Sequence, residues 1–218
     1  MIKGVIFDMD GLMIDSEVVA ERAWKKAILE LKLEYDASFN STLIGRNDKD
    51  VAEIIAKKYG SMDIAQRLQK RSFELVDEEF KNNGVPAKKG LFELIDYLVE
   101  NKIKIAVASS NYREKIENNL KELGLLSKID YISTGDEVER GKPDPEIFLK
   151  AWKGLGIEKS DLLILEDAVL GVEAAYRAEI DVIIVPDILP HPKESIDKSV
   201  CLLDNLIEVK EYIEKNKD

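Results

Sequence analysis

The sequence has a single cysteine, Cys201, so no disulfide bond can form within the chain. It has no uncharged apolar run near the ~20 residues that a membrane-spanning helix requires, and we expect no membrane partner. Nothing near Met1 resembles a secretory signal peptide, because the first apolar run ends at an acidic residue with no small-residue cleavage site behind it. Together these absences predict a protein of the reducing cytoplasm.

Excess basic charge is also missing. The chain has 32 Lys and Arg residues against 43 Asp and Glu residues, which gives a formal net charge of −11. No run of Lys or Arg forms a stripe that could neutralise successive phosphates, so we expect no nucleic-acid partner. A length of 218 residues with 45% hydrophobic residues suffices to bury a core within one chain, and we expect a monomer or weak oligomer.

Short apolar runs rich in Ile, Val and Leu alternate with longer helical patterns along much of the chain. Five of these runs cover residues 2–7, 103–108, 129–133, 162–165 and 182–185. The stretches between them have apolar residues at helical spacing and charged residues on the opposite side. Apolar strands separated by amphipathic helices are typical of a parallel sheet that is covered on both faces. The pattern therefore predicts an α/β fold with a doubly wound parallel sheet.

One interval interrupts this alternation. Residues 16–85 contain no convincing strand pattern, and helical patterns occur there at residues 17–31, 48–59 and 63–82. Because the interval lies between the first strand and all the later ones, we expect it to form a separate, smaller domain. The prediction is a core domain of residues 1–15 and 86–218 with an inserted all-helical domain of residues 16–85.

Two pairs of acidic residues directly follow predicted strands. Asp8 and Asp10 come after the first strand, and Glu166 and Asp167 come after the strand at 162–165. Because the carboxyl ends of parallel strands meet at one edge of the sheet, all four carboxylates should lie at the ligand-binding crevice there. Crowded carboxylates repel one another, and a divalent cation with oxygen ligands would relieve that repulsion. The alternatives are a solvated Asp-Gly turn for the first pair and a helix N-cap for the second.

Two further segments carry groups that suit a phosphate. Ser109, Ser110 and Asn111 lie where the strand at 103–108 meets the next helix, so hydroxyls and free backbone N–H groups could cradle an anion. An ordinary helix cap is the alternative interpretation. Lys142 lies in a loop between a glycine and a proline, where a fixed ammonium could neutralise a phosphate. A solvated surface lysine is the alternative there.

These four segments, in this order and at these spacings, resemble the haloacid dehalogenase-like superfamily. The β-phosphoglucomutase-like subgroup of that superfamily is similar in its first loop, here DMDGLMIDSE at residues 8–17. The resemblance spans roughly residues 2–185. It implies a Rossmann-like core, and it makes the inserted helical domain a mobile cap that closes over the site and excludes bulk water.

The resemblance also implies a role for each acidic candidate. Asp8 would attack phosphorus and become an aspartyl-phosphate, while Asp10 would protonate the leaving oxygen and later activate water. The metal would be Mg²⁺. Its ligands would be the side chains of Asp8 and Asp167 and the backbone carbonyl of Asp10, with Glu166 either a direct ligand or one shell out.

The remaining candidates would bind the phosphoryl group and the rest of the substrate. Ser109, with Ser110 and Asn111 beside it, would hold the transferring phosphoryl group, and Lys142 would balance its charge. In the implied cap, Arg46 lies in an expected loop between helical patterns. It is the candidate for a contact with the leaving group or a distal phosphate, and a solvated arginine is the alternative.

These roles predict a Mg²⁺-dependent phosphatase that hydrolyses a small phosphorylated metabolite such as a sugar phosphate. A β-phosphoglucomutase or related sugar phosphomutase shares the core residues and differs only in what receives the phosphoryl group. In the mutase branch a histidine usually stands five residues after the aspartate that closes the first motif, where this chain has Ala20. The lysine expected further along the mutase cap also has no clear counterpart. Hydrolysis is therefore the favoured reaction.

Other activities on this fold suit the sequence less well. A dehalogenase would not need Asp10 as acid and base, and a phosphonate hydrolase would need a Schiff-base lysine, for which the cap offers only generic candidates. A catalytically silent metal- or phosphate-binding regulator, an alternative of another class, would lack at least one core residue, and none is missing. The lone histidine, His191, is predicted to be a surface residue rather than a ligand.

Overall fold

The computed structural model describes residues 1–43 and 48–216, and the chain divides into two compact units. The first, named here the core unit, is formed by Met1–Asp15 and Val85–Asp218. The second, the helical unit, is formed by Ser16–Gly84. The chain therefore leaves the core unit soon after its first strand and returns to it before the second.

Parallel strands form the sheet of the core unit. They are β1 (Gly4–Phe7), β2 (Lys104–Ser109), β3 (Tyr131–Thr134), β4 (Leu162–Glu166), β5 (Asp181–Ile184) and β6 (Cys201–Leu202). Neighbouring strands follow the order β3-β2-β1-β4-β5-β6, and each neighbouring pair is parallel. The predicted α/β fold with a doubly wound parallel sheet is confirmed. The five predicted strands lie within two residues of the observed bounds.

The described residues of the helical unit form helices and connecting loops. The helices are α1 (Ser16–Glu30), α2 (Ala37–Ser41), α3 (Asp48–Tyr59) and α4 (Met62–Asn83). The two longest, α1 and α4, pack against each other, and each buries an apolar stripe. Ion pairs join their outer sides, from Arg22 to Glu79 at 2.8 Å and from Arg71 to Glu30 at 2.6 Å. Apolar burial and surface ion pairs therefore both stabilise the packing of α1 against α4.

Helices cover both faces of the sheet in the core unit. They are α5 (Leu91–Glu100), α6 (Arg113–Glu122), α7 (Glu146–Leu155), α8 (Val169–Ala178), α9 (Lys193–Ile196) and α10 (Leu206–Lys215). Ile6 and Ile164 lie in one apolar cluster with residues of α7 and α8, among them Phe148. Val5 and Phe7 alternate with Ile6 along β1, so they point to the opposite face, and they too are fully buried. Burial on both faces explains why the strand segments lack polar alternation.

Among the helices of residues 1–43 and 48–216, none combines the length and the apolar character needed to cross a membrane.

The strand order reverses at β1, and this reversal creates a crevice at one edge of the sheet. β1 lies between β2 and β4, and Phe7 pairs with both Val107 and Leu165. The residues that follow these paired positions are therefore level with one another. In open α/β sheets ligands bind at such a point, because the connections leave the two central strands in opposite directions.

The first turn of α8 packs directly against the end of β4. Gly171 lies so close to the buried Glu166 that an added Cβ would be 1.8 Å from Glu166 Oε1. A larger residue would displace the Glu166 carboxylate or push α8 away from the sheet. Glycine at this position is therefore a packing requirement of the β4–α8 turn.

Gly171→Ala is predicted to lower the free energy of unfolding by about 1–3 kcal/mol, because the added methyl group overpacks the β4–α8 turn. Urea denaturation followed by circular dichroism measures this change. Gly141→Ala is the matched control, since a Cβ at Gly141 would have no described atom within 4 Å apart from its chain neighbours. Equal stability of the two variants would contradict the close packing at Gly171.

Candidate active site

The side chain of Lys142 lies between two carboxylates at the carboxyl edge of the sheet. Its Nζ donates to Asp8 Oδ1 and, at 2.5 Å, to Glu166 Oε1. It also lies 3.5 Å from Ala108 O and 4.9 Å from the centroid of the Phe148 ring. The three charged side chains are each at most one-tenth exposed. They form one buried ionic cluster.

Each member of this cluster comes from a different part of the fold. Asp8 directly follows β1, Glu166 is the last residue of β4, and Lys142 lies in the loop between β3 and α7. Because β1 and β4 are paired in register, the two carboxylates are brought to the same level of the sheet. The packing of α7 places Phe148 against the ammonium of Lys142. The sheet and one helix thus hold all three charges.

Burial and neighbouring charges act in opposite directions within this cluster. Burial raises the pKa of the Asp8 carboxyl above its usual range, because Lys142 offsets only part of the desolvation and Glu166 adds a like charge. Burial acts to lower the pKa of Lys142, but the Asp8 and Glu166 carboxylates outweigh it and leave that pKa above its usual value. Lys142 is therefore a permanent positive charge, and one ammonium does not fully balance the carboxylates around it.

Glu166 uses both of its carboxylate oxygens within the protein. Oε1 accepts from Lys142, and Oε2 accepts from the backbone N–H groups of Asp167 and Ala168, each at 3.0 Å. The residue is fully buried. Glu166 therefore ties the β4–α8 turn to the loop that carries Lys142.

The loop after β2 contacts the second aspartate of the first motif. Asn111 Nδ2 donates to Asp10 Oδ2 at 2.5 Å, and Asn111 N donates to Ser109 Oγ at 3.2 Å. Ser109 is buried at the end of β2, whereas Ser110 is exposed. The backbone N–H of Gly135 donates to Asn111 O at 2.8 Å. Asn111 is thus placed to orient Asp10, a contact that its predicted phosphate-binding role did not include.

The Asp167 carboxylate has a buried oxygen with no hydrogen-bond partner among the described residues. This oxygen is Asp167 Oδ1. The other oxygen, Asp167 Oδ2, lies 2.2 Å from the point that a Cβ on Gly11 would occupy. Gly11 has φ of 81°, a left-handed conformation that glycine adopts without strain. Burial raises the pKa of Asp167, and Glu166 and Asp8 raise it further. A buried, unpartnered carboxylate oxygen suits a hard cation such as Mg²⁺.

Taken together, these contacts join residues from all four predicted segments. Within residues 1–43 and 48–216, no three His, Cys, Asp or Glu side chains form a group that could hold a metal ion unaided. The metal quartet of Asp8, Asp10, Glu166 and Asp167 therefore stays a prediction. Arg46, the candidate in the helical unit, lies outside the described residues.

The prediction that His191 is a surface residue is wrong. The residue is only 9% exposed, and its ring contacts Ser195 Oγ at 2.9 Å and Asp167 O at 2.7 Å. The loop after β5 turns back onto the β4–α8 turn, so the ring is buried where the two meet. Local sequence carries no signal for this, because the burial depends on a segment 24 residues away.

Asp187 is a further acidic residue at this edge that sequence reasoning missed. Its Oδ1 accepts from Lys88 Nζ at 2.5 Å, and its Oδ2 is buried without a hydrogen-bond partner in the described chain. A Cβ on Gly11 would lie 3.2 Å from that Oδ2, so Asp187 and Asp167 flank the same glycine. The signal was available, because Asp187 lies just beyond an apolar strand, as Asp8 does.

Comparison with known proteins gives a consistent result. A model of the family described as haloacid dehalogenase-like hydrolase matches residues 5–185. Validoxylamine A 7'-phosphate phosphatase from Streptomyces hygroscopicus subsp. limoneus is 32% identical over 218 aligned residues, which cover 96% of this chain and 97% of that protein. Phosphorylated carbohydrates phosphatase from Thermotoga maritima is 28% identical over 183 residues, which cover 82% of each protein.

Solved structures agree with the fold. The crystal structure of a candidate β-phosphoglucomutase from Thermotoga maritima matches with a TM-score of 0.85 at 26% identity, covering 98% of this chain and 99% of that one. The resemblance inferred from the motifs is confirmed. Because the family model spans most of the sequence and a relative of 32% identity is covered almost completely, this chain belongs to the haloacid dehalogenase-like hydrolase family.

Proposed function

We propose that this protein is a Mg²⁺-dependent phosphatase that hydrolyses a small phosphate monoester through an aspartyl-phosphate on Asp8. The observation that carries the proposal is the buried Lys142 ammonium, which bonds to both Asp8 and Glu166 at the crevice of the sheet. Two relatives are named as phosphatases of validoxylamine A 7'-phosphate and of phosphorylated carbohydrates. Their names support a sugar phosphate as the substrate class.

Asp8 is the proposed nucleophile. Its carboxylate attacks phosphorus while the bond from phosphorus to the leaving oxygen breaks, and the product of this half-reaction is the aspartyl-phosphate. The contact with Lys142 supports this role, because it fixes the orientation of the carboxylate in the crevice. Dividing the hydrolysis at a covalent intermediate makes each half easier.

Asp10 is the proposed general acid and base. In the first half it donates a proton to the leaving oxygen. In the second half it accepts a proton from the water that attacks the aspartyl-phosphate, which releases inorganic phosphate and restores Asp8. The hydrogen bond from Asn111 supports this role, since it fixes the Asp10 carboxylate relative to the loop after β2.

The transferring phosphoryl group is proposed to bind at the end of β2. Ser109, Ser110 and Asn111 provide hydroxyl, amide and backbone N–H donors there, in front of helix α6. Lys142 supplies a positive charge beside Asp8, which would offset part of the negative charge that a bound phosphoryl group adds. Because that ammonium is already held by two carboxylates and an aromatic ring, it needs no reorganisation during the reaction.

The residues suited to hold Mg²⁺ are Asp8 and Asp167 through their side chains and Asp10 through its backbone carbonyl. The buried, unpartnered Oδ1 of Asp167 supports this assignment. Glu166 has both oxygens engaged by Lys142 and backbone N–H groups, which supports a place one shell from the ion. When bound, Mg²⁺ would polarise the phosphoryl oxygens and screen the negative charge of the phosphoryl group from the attacking Asp8 carboxylate.

The helical unit is proposed to serve as the cap that selects the leaving group. It corresponds to the predicted domain of residues 16–85. Its described residues form helices, with the long helices α1 and α4 packed against each other, and this architecture suits a cap. Arg46 remains the candidate for a contact with the leaving group or a distal phosphate. A cytoplasmic location and a monomer or weak oligomer complete the proposal.

The first test measures phosphate release from a panel of sugar phosphates, with Mg²⁺ and with EDTA in its place. We expect release from several sugars and its loss when the metal is removed. The panel includes β-glucose 1-phosphate, and glucose 6-phosphate formation is followed in the same reactions, because one solved relative is described as a candidate β-phosphoglucomutase. Isomer conversion without net phosphate release would identify a mutase and contradict the inference from Ala20.

Asp8→Asn is predicted to reduce phosphate release to the background rate, because an amide cannot form the aspartyl-phosphate. Mass spectrometry of acid-quenched reactions should detect the phosphorylated Asp8 peptide in the wild type and not in the variant. Asp204→Asn, at an exposed position of the core unit, is the control and should keep full activity. Normal turnover by Asp8→Asn would remove the nucleophile assignment.

Asn111→Ala is predicted to lower kcat by about 10-fold, because it removes the alignment of Asp10 while general acid–base catalysis as a whole contributes about 10²–10⁴-fold. Steady-state kinetics at saturating Mg²⁺ measure the effect. Asn118→Ala is the matched control, since Asn118 is exposed on the neighbouring helix α6. If the two variants have equal kcat, Asn111 does not orient Asp10 for catalysis.

A further inference from the structure

His191 lies in the loop between β5 and α9, with its ring buried against the β4–α8 turn. The residue is 9% exposed, and Ser195 on α9 is 4% exposed. Nδ1 of the ring lies 2.9 Å from Ser195 Oγ, and Nε2 lies 2.7 Å from Asp167 O. Both ring nitrogens therefore have a polar partner, and the ring joins α9 to the turn that carries Asp167.

The contact with Asp167 has a defined direction. A carbonyl oxygen can only accept a hydrogen bond, so Nε2 of His191 carries a proton and donates it. The accepting atom belongs to the backbone of Asp167, and the carboxylate takes no part in the bond. His191 therefore restrains the main chain at Asp167, while the carboxylate of Asp167 stays available for another partner.

Asp167 is held at both of its peptide groups. Its N–H donates to Glu166 Oε2 at 3.0 Å, and its C=O accepts from His191. Such restraint is needed because Glu166 and Asp8 bring like charge near the carboxylate, whose Oδ1 has no hydrogen-bond partner in the described chain. Rotation of the turn toward water would relieve that repulsion and take the carboxylate out of the crevice.

We propose that His191 is a positioning residue, whose Nε2–H bond to Asp167 O holds the Asp167 carboxylate in the orientation that binds a divalent cation. This role rests on the proposed function, in which Asp167 is a ligand of Mg²⁺. Loss of a hydrogen-bonding group behind a metal ligand typically weakens metal affinity by about 10–100-fold. His191 thus acts on Mg²⁺ affinity through Asp167, without touching the ion or the substrate.

Two substitutions distinguish the effect of losing the hydrogen-bond donor to Asp167 O from the effect of losing the imidazole ring. In His191→Gln the amide nitrogen occupies about the place of Nε2 and can still donate to Asp167 O. In His191→Asn the shorter side chain places its amide nearer the position of Nδ1, so that bond is lost. Titration calorimetry with MgCl₂ measures metal affinity without turnover. We expect His191→Asn to bind Mg²⁺ about 10-fold or more weakly, and His191→Gln to stay close to the wild type.

Amide hydrogen exchange tests the hydrogen bond itself without any metal. The N–H groups of Asp167 and Ala168 donate to Glu166 Oε2 within the same turn. They should exchange faster in His191→Asn than in His191→Gln, because the turn opens locally when its anchor is lost. Equal exchange in the two variants would overturn the positioning role, even if both unfold at a lower temperature than the wild type.

The two measurements distinguish failure of this inference from failure of the proposed function. If the wild type binds no Mg²⁺, the metal assignment fails, and amide exchange still decides whether His191 holds the turn. If the wild type binds Mg²⁺ and both variants bind it equally well, His191 has no positioning role. The KM for substrate at saturating Mg²⁺ should be unchanged in both variants, and a raised KM would assign His191 to substrate binding instead.

Discussion

The buried contact of Lys142 with Asp8 and Glu166 is the interaction on which the carboxyl edge of the sheet depends. Each carboxylate comes from the end of a central strand, and neither could remain charged there without a cation beside it. Removing one partner of a buried ion pair typically costs about 3–5 kcal/mol, because the other charge is left uncompensated. The loop before α7 and the buried ring of Phe148 are therefore part of the same electrostatic arrangement.

Crowding of acidic groups also shapes the backbone around this cluster. Gly171 and Gly11 leave room for the carboxylates of Glu166 and Asp167, since a Cβ at either glycine would overlap the carboxylate beside it. Backbone N–H groups and His191 then hold the β4–α8 turn in place. Glycine residues and backbone N–H groups thus keep the carboxylates together at one edge of the sheet. Mg²⁺ and the phosphoryl group of the substrate are proposed to bind at the same edge.

The fold was predictable because its signals are local. Buried parallel strands need continuous apolar segments and helices need apolar residues at helical spacing, so both leave a pattern within a few residues. Residues at strand ends can be predicted for the same reason, and Asp8, Glu166 and Asp167 are examples. The contact of Asn111 with Asp10 joins residues 101 positions apart, and the burial of His191 depends on a loop and a turn that meet only in the folded chain.

By itself the sequence determined the alternation of strands and helices, the interval without strands, and the set of acidic, hydroxyl and ammonium groups that follow apolar strands. Only the tertiary structure decided which of those groups are partners: Lys142 with two carboxylates, Asn111 with Asp10, and His191 with Asp167. The physical reason is that apolar burial follows a periodic pattern along the chain. A hydrogen bond or ion pair instead depends on distances of about 3 Å between atoms of segments that folding alone brings together.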